Sequence, residues 1–143
     1  LVSLNRRLLV ASPDYLARRA APRTPEDLLR HTCLPYLQSG RLHDRWQLGT
    51  QTVQVAGPLF SDDADVVRRW ALEGEGIAYK SWLDVSVDVQ AGRLVVLLTD
   101  FPGDVYPLSF ACPHRGQVSR AVAELHQWLR KRFIAIPPFV RED

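Results

Sequence analysis

The stretch at residues 57–80, GPLFSDDADVVRRWALEGEGIAYK, decides how this chain reads. Leu59 and Phe60 end a short apolar run, and Ser61 and Asp62 supply side-chain oxygens able to cap the N–H groups that open a helix. In that helix Ala64, Val67, Trp70 and Ala71 recur at three- and four-residue spacing. That spacing predicts one stripe against a sheet, with Arg68, Arg69 and Glu73 in water. Gly74 and Gly76 suit a left-handed exit, and Ile77, Ala78 and Tyr79 read as the next strand. A right-handed crossover places that strand parallel to the run at 59–60. In open α/β sheets ligands collect where strand carboxyl ends meet helix amino ends, so Phe60, Ser61 and Asp62 are predicted to line a binding crevice.

The same grammar extends to both sides. Upstream, residues 8–11 (LLVA) form a run short enough for a buried strand, and Ser12 followed by Pro13 starts a helix. Thr24 with Asp27 three residues on has the form of a capping box, and Leu28 and Leu29 supply its buried side. Residues 33–37 read as a short strand followed by a polar loop at 38–41. Tyr36, Gln38 and Ser39 are thereby placed as hydrogen-bonding candidates on a second wall of the crevice, with Arg41 able to pair with a ligand carboxylate. Trp46, Leu48, Val53 and Val55 alternate around Gly49 and Thr50, as in a β-hairpin.

Downstream, residues 81–89 read as a short helix with Ala91 and Gly92 at its exit, and 93–98 as an apolar strand. Residues 100–106 hold Pro102 and Gly103 and read as a loop, with a strand at 108–111. The longest periodic segment is 117–133, where Val118, Ala121, Val122, Leu125, Trp128, Leu129 and Phe133 share one helical face. Trp70 and Trp128 are predicted core residues by position. Residues 134–143, with Pro137 and Pro138, keep no periodicity and read as a tail or linker.

Composition bounds the function. At 143 residues and 46% hydrophobic the chain can bury a core, as one domain or two small lobes. A net charge of only +2 leaves no surface set up for nucleic-acid phosphates. Cys33 and Cys112 lie far apart and outside any ligand pattern, which predicts two reduced thiols in a cytoplasmic protein. No apolar run reaches the ~18 residues of a membrane helix and no signal peptide opens the chain, so no membrane partner is expected. The absence of Met, position 1 included, predicts a piece of a longer protein.

An enzyme reading finds little support. Cys33, Cys112 and Ser61 stand in no nucleophile motif, and His31, His43, His114 and His126 fall at no ligand spacing, so neither metal nor other cofactor is expected. His31 beside Cys33 is the best catalytic fragment, and it lacks a third partner.

Taken as an ordered series, the pieces resemble the effector-binding domain of LysR-type transcriptional regulators, its C-terminal portion in particular. LLVASPDYLARR resembles that family's hinge strand and following helix, TPEDLLRHTCLPY its next helix and strand, and SDDADVVRRWALEGEGIAY its central helix with a glycine-bounded exit. AGRLVVLLTD, PLSFACPHR and SRAVAELHQWL follow in the expected order, so the resemblance covers residues 6–133. It implies an α/β fold of the type II periplasmic-binding-protein kind, with two lobes and an effector held between them. Residues 1–10 would enter along the hinge, 11–98 form the second lobe, 99–133 cross back into part of the first lobe, and 134–143 trail as a tail. It further implies a small-molecule effector, a homodimer or tetramer, and DNA contact only through a helix-turn-helix upstream of Leu1. One of Trp46 and Trp82 would suit an oligomer contact. Some members sense peroxide through two neighbouring cysteines, an arrangement that the wide separation of Cys33 and Cys112 does not match.

Two readings stand for each candidate. Phe60, Ser61 and Asp62 contact an effector or merely cap a helix beside a core Phe60, and the two are compatible. Tyr36, Gln38 and Ser39 face the ligand or form a solvated turn. Asp62 and Asp63 at the mouth would repel an anion and suit an amine-bearing effector, unless they point outward. A solute-binding, transport-associated domain of the same fold is the rival function.

Overall fold

The computed structural model describes residues 3–112, 116 and 118–139. Expectations touching residues 1–2, 113–115, 117 and 140–143 lie outside these described residues, among them the first positions of the hinge strand, His114 and the end of the tail. In chain order the elements are β1 (Ser3–Ala11), α1 (Pro13–Arg18), a 3-10 turn (Pro25–Arg30), β2 (Cys33–Leu34), β3 (Tyr36–Gln38), β4 (Arg41–His43), β5 (Arg45–Leu48) and β6 (Gln51–Gln54). There follow α2 (Ala64–Leu72), β7 (Ile77–Ser81), α3 (Trp82–Gln90), β8 (Val95–Leu97), β9 (Val105–Leu108) and α4 (Arg120–Ile134).

The nine-residue β1 is the axis. It pairs antiparallel with β7 through Arg7–Val10, with β8 through Leu9–Ala11 and with β9 through Ser3–Arg6. Leu8, Leu9, Val10 and Ala11 are buried, and strand alternation divides them between two apolar clusters on opposite faces of the sheet. Leu9 and Ala11 meet Tyr15, Leu28, Trp46 and Leu48 on one face. Leu8 and Val10 meet Val67, Ala71, Trp82 and Val85, contributed by α2 and α3, on the other. A fully buried Leu or Val contributes about 1.5–3 kcal/mol by area, so this short run anchors both layers.

Local chemistry accounts for the element boundaries. Ser12 Oγ accepts from Tyr15 N at the start of α1, and Thr24 with Asp27 forms the expected capping box. The apolar run at 33–37 is broken by Pro35, which has no N–H to donate, into β2 and β3. The polar loop at 38–41 is the tip of a tight β3–β4 hairpin, where Ser39 and Gly40 both adopt positive φ. The hairpin expected at 46–55 forms as β5 and β6 around Gly49 and Thr50.

The quoted central stretch needs correction. Leu59 and Phe60 form no strand; at this point the chain makes a single parallel bridge, Tyr36 to Ser61. The parallel partner of β7 is β2, so the crossover starts one hairpin pair earlier than the sequence pattern implies. Gly57 explains the path, because a Cβ there would sit 1.9 Å from the Cys33 carbonyl oxygen. The cap of α2 is Asp63, whose Oδ1 accepts from Asp65 N and Val66 N, rather than Ser61 or Asp62. Arg68 is not simply wet: it bonds Asp65 at 3.0 Å and Asp88 at 2.8 Å, and Arg93 bonds the same buried Asp88, clasping α2 to α3.

Further on, the strand expected at 108–111 lies at Val105–Leu108, overlapping the end of the expected loop and only the first residue of the expected strand, because those residues pair with the start of β1. Trp128 is 54% exposed and α4 has no buried residue among the described residues, so its apolar stripe is not core here. Trp46 and Trp82 are instead buried at 3% and 8%, which removes either ring as a ready oligomer contact. The tail is docked in part: Trp82 Nε1 donates to Pro137 O at 2.8 Å and the Phe139 ring lies 5.5 Å from Trp82.

Candidate functional site

A cavity of about 160 Å³ opens where the β3–β4 and β5–β6 hairpins meet the start of α2, the middle of β1, the C-terminal end of β7 and the start of β9. Leu34, Ala64 and Val67 give it an apolar side, while Tyr36, His43, Arg45 and Trp46 come from the hairpins. The main sheet presents Arg7, Tyr79, Lys80, Ser81 and Tyr106, and α3 adds Asp84. The site is therefore concave, with convergent polar groups over an apolar base.

These polar groups are held in place from behind. The Arg7 guanidinium lies 5.3 Å from the Tyr106 ring centroid and 5.8 Å from that of Tyr79, a double cation–π contact. Tyr79 in turn packs 5.5 Å from Trp46, donates its O–H to Gln47 O at 2.9 Å and accepts from Asp104 N at 2.8 Å. Burial raises the Tyr79 pKa, which keeps the hydroxyl protonated. Lys80, 7% exposed, donates to Ala64 O at 2.9 Å and pairs with Asp84 at 3.1 Å. Asn5 Nδ2 donates to Ser81 Oγ at 2.7 Å and to Tyr106 Oη at 3.1 Å, so one buried amide positions two lining hydroxyls. Ser81 Oγ also accepts from Leu83 N as the cap of α3, which leaves its proton free to be donated.

Of the residues singled out in the sequence, Tyr36 lines this cavity, with its ring 6.3 Å from that of His43. Ser61 lies next to it through the parallel bridge: its carbonyl accepts from Leu37 N at 2.9 Å, and its Oγ accepts from Asp63 N at 3.0 Å. Phe60 is 54% exposed, and Asp62, Gln38, Ser39 and Arg41 are exposed away from the lining. The structure therefore does not bring the six candidates together. Sequence reasoning missed Arg7, Lys80, Ser81 and Tyr106. The available signal was a charged residue abutting a buried run, as in Arg7 before LLVA and Lys80 after IAY.

The His31 and Cys33 fragment separates as well. Cys33 is fully buried, its Sγ faces Leu28 O at 3.8 Å, and burial pushes its pKa up to about 12. His31 Nδ1 instead shares a 2.8 Å hydrogen bond with Tyr15 Oη. Both cysteines are free, Cys33 buried and Cys112 exposed. Among the described residues no group of three His, Cys, Asp or Glu is placed to hold a metal.

The pattern of the LysR substrate binding domain matches residues 2–134. The chain belongs to the LysR substrate-binding family. Its relatives include the HTH-type transcriptional regulator DmlR of Escherichia coli K12, 36% identical over 111 residues that make up 73% of this chain and 36% of DmlR. The HTH-type transcriptional activator TtdR of the same strain is 36% identical over 105 residues, 71% of this chain and 34% of TtdR. This LysR-family chain thus spans about a third of the length of the curated relatives it matches.

Solved structures agree. The regulatory domain of CrgA, a LysR-type regulator from Neisseria meningitidis, superposes with a TM-score of 0.74 over 95% of this chain and 67% of that one, at 20% identity, which shows the fold. Full-length AphB, a Vibrio cholerae virulence activator, gives 0.64 over 73% of this chain and 36% of AphB, at 28% identity. The fold is the type II periplasmic-binding-protein-like α/β fold of LysR regulatory domains.

Proposed function

We propose that this chain is the effector-sensing part of a cytoplasmic LysR-type transcriptional regulator, and that the cavity between Arg7, Tyr36, Lys80 and Tyr106 is its share of the effector site. One observation carries the reading. Beside the paired strands β1 and β9, the chain has built a concave site whose polar groups are fixed by others behind them, next to the C-terminal end of β7 and the amino end of α2, the kind of junction at which α/β folds bind ligands. DNA contact belongs to a helix-turn-helix elsewhere in the natural protein, and a homodimer or tetramer transmits the change in lobe orientation. Relatives named as transcriptional regulators favour this over a transport-associated solute binder.

Residues 11–98 are taken as the second lobe and 99–133 as the return into the first, with 134–143 as the tail. The uncovered apolar face of α4 supports that division, since a stripe bearing Trp128 and Leu125 needs a second surface. A ligand shifts such lobes only through its differential affinity for two arrangements, typically about 1–3 kcal/mol of coupling.

The test is calorimetry of the full-length natural protein against acids, neutral polar compounds and amines, repeated with Ala64→Phe. Ala64 lines the cavity at the first turn of α2, so the larger ring fills the space without removing a polar contact. Binding by the natural protein and none by a folded Ala64→Phe variant is expected. Affinity unchanged in Ala64→Phe would show that the effector sits elsewhere.

A further inference from the structure

We infer that the cavity takes a small organic oxyanion, a carboxylate or phosphate headgroup, seated on the Arg7 guanidinium between Tyr79 and Tyr106. This rests on the sensor reading above and adds the chemical class of the effector. Charge balance is the first ground. Three basic side chains, Arg7, Arg45 and Lys80, line the space against the single carboxylate of Asp84. That carboxylate is already paired with Lys80.

The second ground is what each group has left to give. Among the described residues no carboxylate lies within ion-pair distance of Arg7, and its guanidinium carbon sits over the Tyr106 ring at 5.3 Å and the Tyr79 ring at 5.8 Å. No hydrogen bond or ion pair among the described residues occupies its N–H fork, which matches two oxygens of one carboxylate or phosphate. Of the three ammonium protons of Lys80, two serve Ala64 O and Asp84. The third remains for a ligand oxygen. Ser81 offers one more O–H, because its oxygen already accepts from Asn5 and Leu83.

Third, the acidic pair that in the sequence favoured an amine is elsewhere. Asp63 is turned onto the N–H groups of Asp65 and Val66, and Asp62 is exposed outside the lining. A volume of about 160 Å³ is close to that of an engineered ~150 Å³ cavity that holds benzene. The anion is thus a compact one, or the headgroup of a larger molecule.

Titration calorimetry of the full-length natural protein with matched probes tests the class. Succinate and benzoate are compared with succinamide and benzamide, with 1,4-diaminobutane and benzylamine, and with inorganic phosphate. At least one anion is expected to bind more than about tenfold tighter than its neutral amide, as loss of a charge-assisted pair requires. Carboxylate or phosphate preference then identifies the headgroup. Arg7→Gln should lose that advantage and Arg7→Lys keep part of it, with thermal melts confirming that both fold. If Arg7→Gln fails to fold, Arg45→Gln serves, with a smaller loss of the same sign.

An amide or amine that binds as tightly as its anion, anion binding untouched in a folded variant, or silence from every anion would each overturn the inference. A neutral or cationic probe blocked by Ala64→Phe would overturn the anion class while leaving the sensor reading in place. The two can therefore fail separately.

Discussion

Helices α2 and α4 carry the same kind of apolar stripe and end in opposite circumstances. In α2 the stripe is met: Val67 is 1% exposed and Ala71 fully buried, packed with Leu8 and Val10 from the buried heart of β1. In α4 the helix is longer, yet Leu125 remains 48% and Trp128 54% exposed. Periodicity tells that a face is made to be covered; it does not tell what covers it. For α2 the cover is the sheet built on β1, and for α4 it is proposed to be another lobe.

The sharpest way to break this contrast is a pair of truncations in the full-length natural protein, followed by urea unfolding. Leu9→Ala removes a side chain 1% exposed at the centre of the sheet and should cost about 3 kcal/mol. Leu125→Ala should cost about 2 kcal/mol if another lobe covers α4, against less than about 0.5 kcal/mol for an exposed position. A near-zero value for Leu125 would mean that α4 has no such partner.

A smaller effect probes the strap that follows α4. Trp82→Phe keeps an aromatic ring against Phe139 and deletes the Nε1 donor to Pro137 O. The expected loss is about 1 kcal/mol, one hydrogen bond's worth, with faster proteolysis within residues 134–139. Unchanged cleavage would show that ring packing alone holds this segment.

The smallest expected effect belongs to the body of the lobe. Burial, and then the positive charge of Arg19, lower the His31 pKa below its ordinary value of 6.5. The folded state therefore binds fewer protons at this site than the unfolded one. The stabilisation is complete above about pH 6.5 and drains away as pH falls through the lowered value. Urea midpoints at pH 7.5 and 5.5 should converge in His31→Asn relative to the natural protein. Equal pH dependence in both would assign the acid loss to other groups.

How much was legible beforehand depends on the range of the interaction. The caps at Ser12 and Thr24, the hairpin at Gly49 and Thr50 and the extents of α2 and α3 were readable, since each is settled by contacts within a few residues. The parallel partner of β7 was misread because it turns on Gly57 passing tight against the Cys33 carbonyl, a contact between distant parts of the chain. The cavity was legible through Tyr36 alone. Arg7, Lys80 and Tyr106 come from three strands and meet only once β1 has paired with β7 and β9.

By itself the amino-acid sequence determined the grammar of this LysR-family chain: which segments turn into helices, where they stop, and which faces must leave water. Local hydrogen bonding and hydrophobic period carry that information. The tertiary structure alone decided which cations share a hollow and which carboxylates turn away from it, because charge complementarity acts across pairings far apart in the chain. The proposed anion seat is one such meeting, with the Arg7 guanidinium carbon 5.3 Å from the Tyr106 ring centroid and 5.8 Å from that of Tyr79.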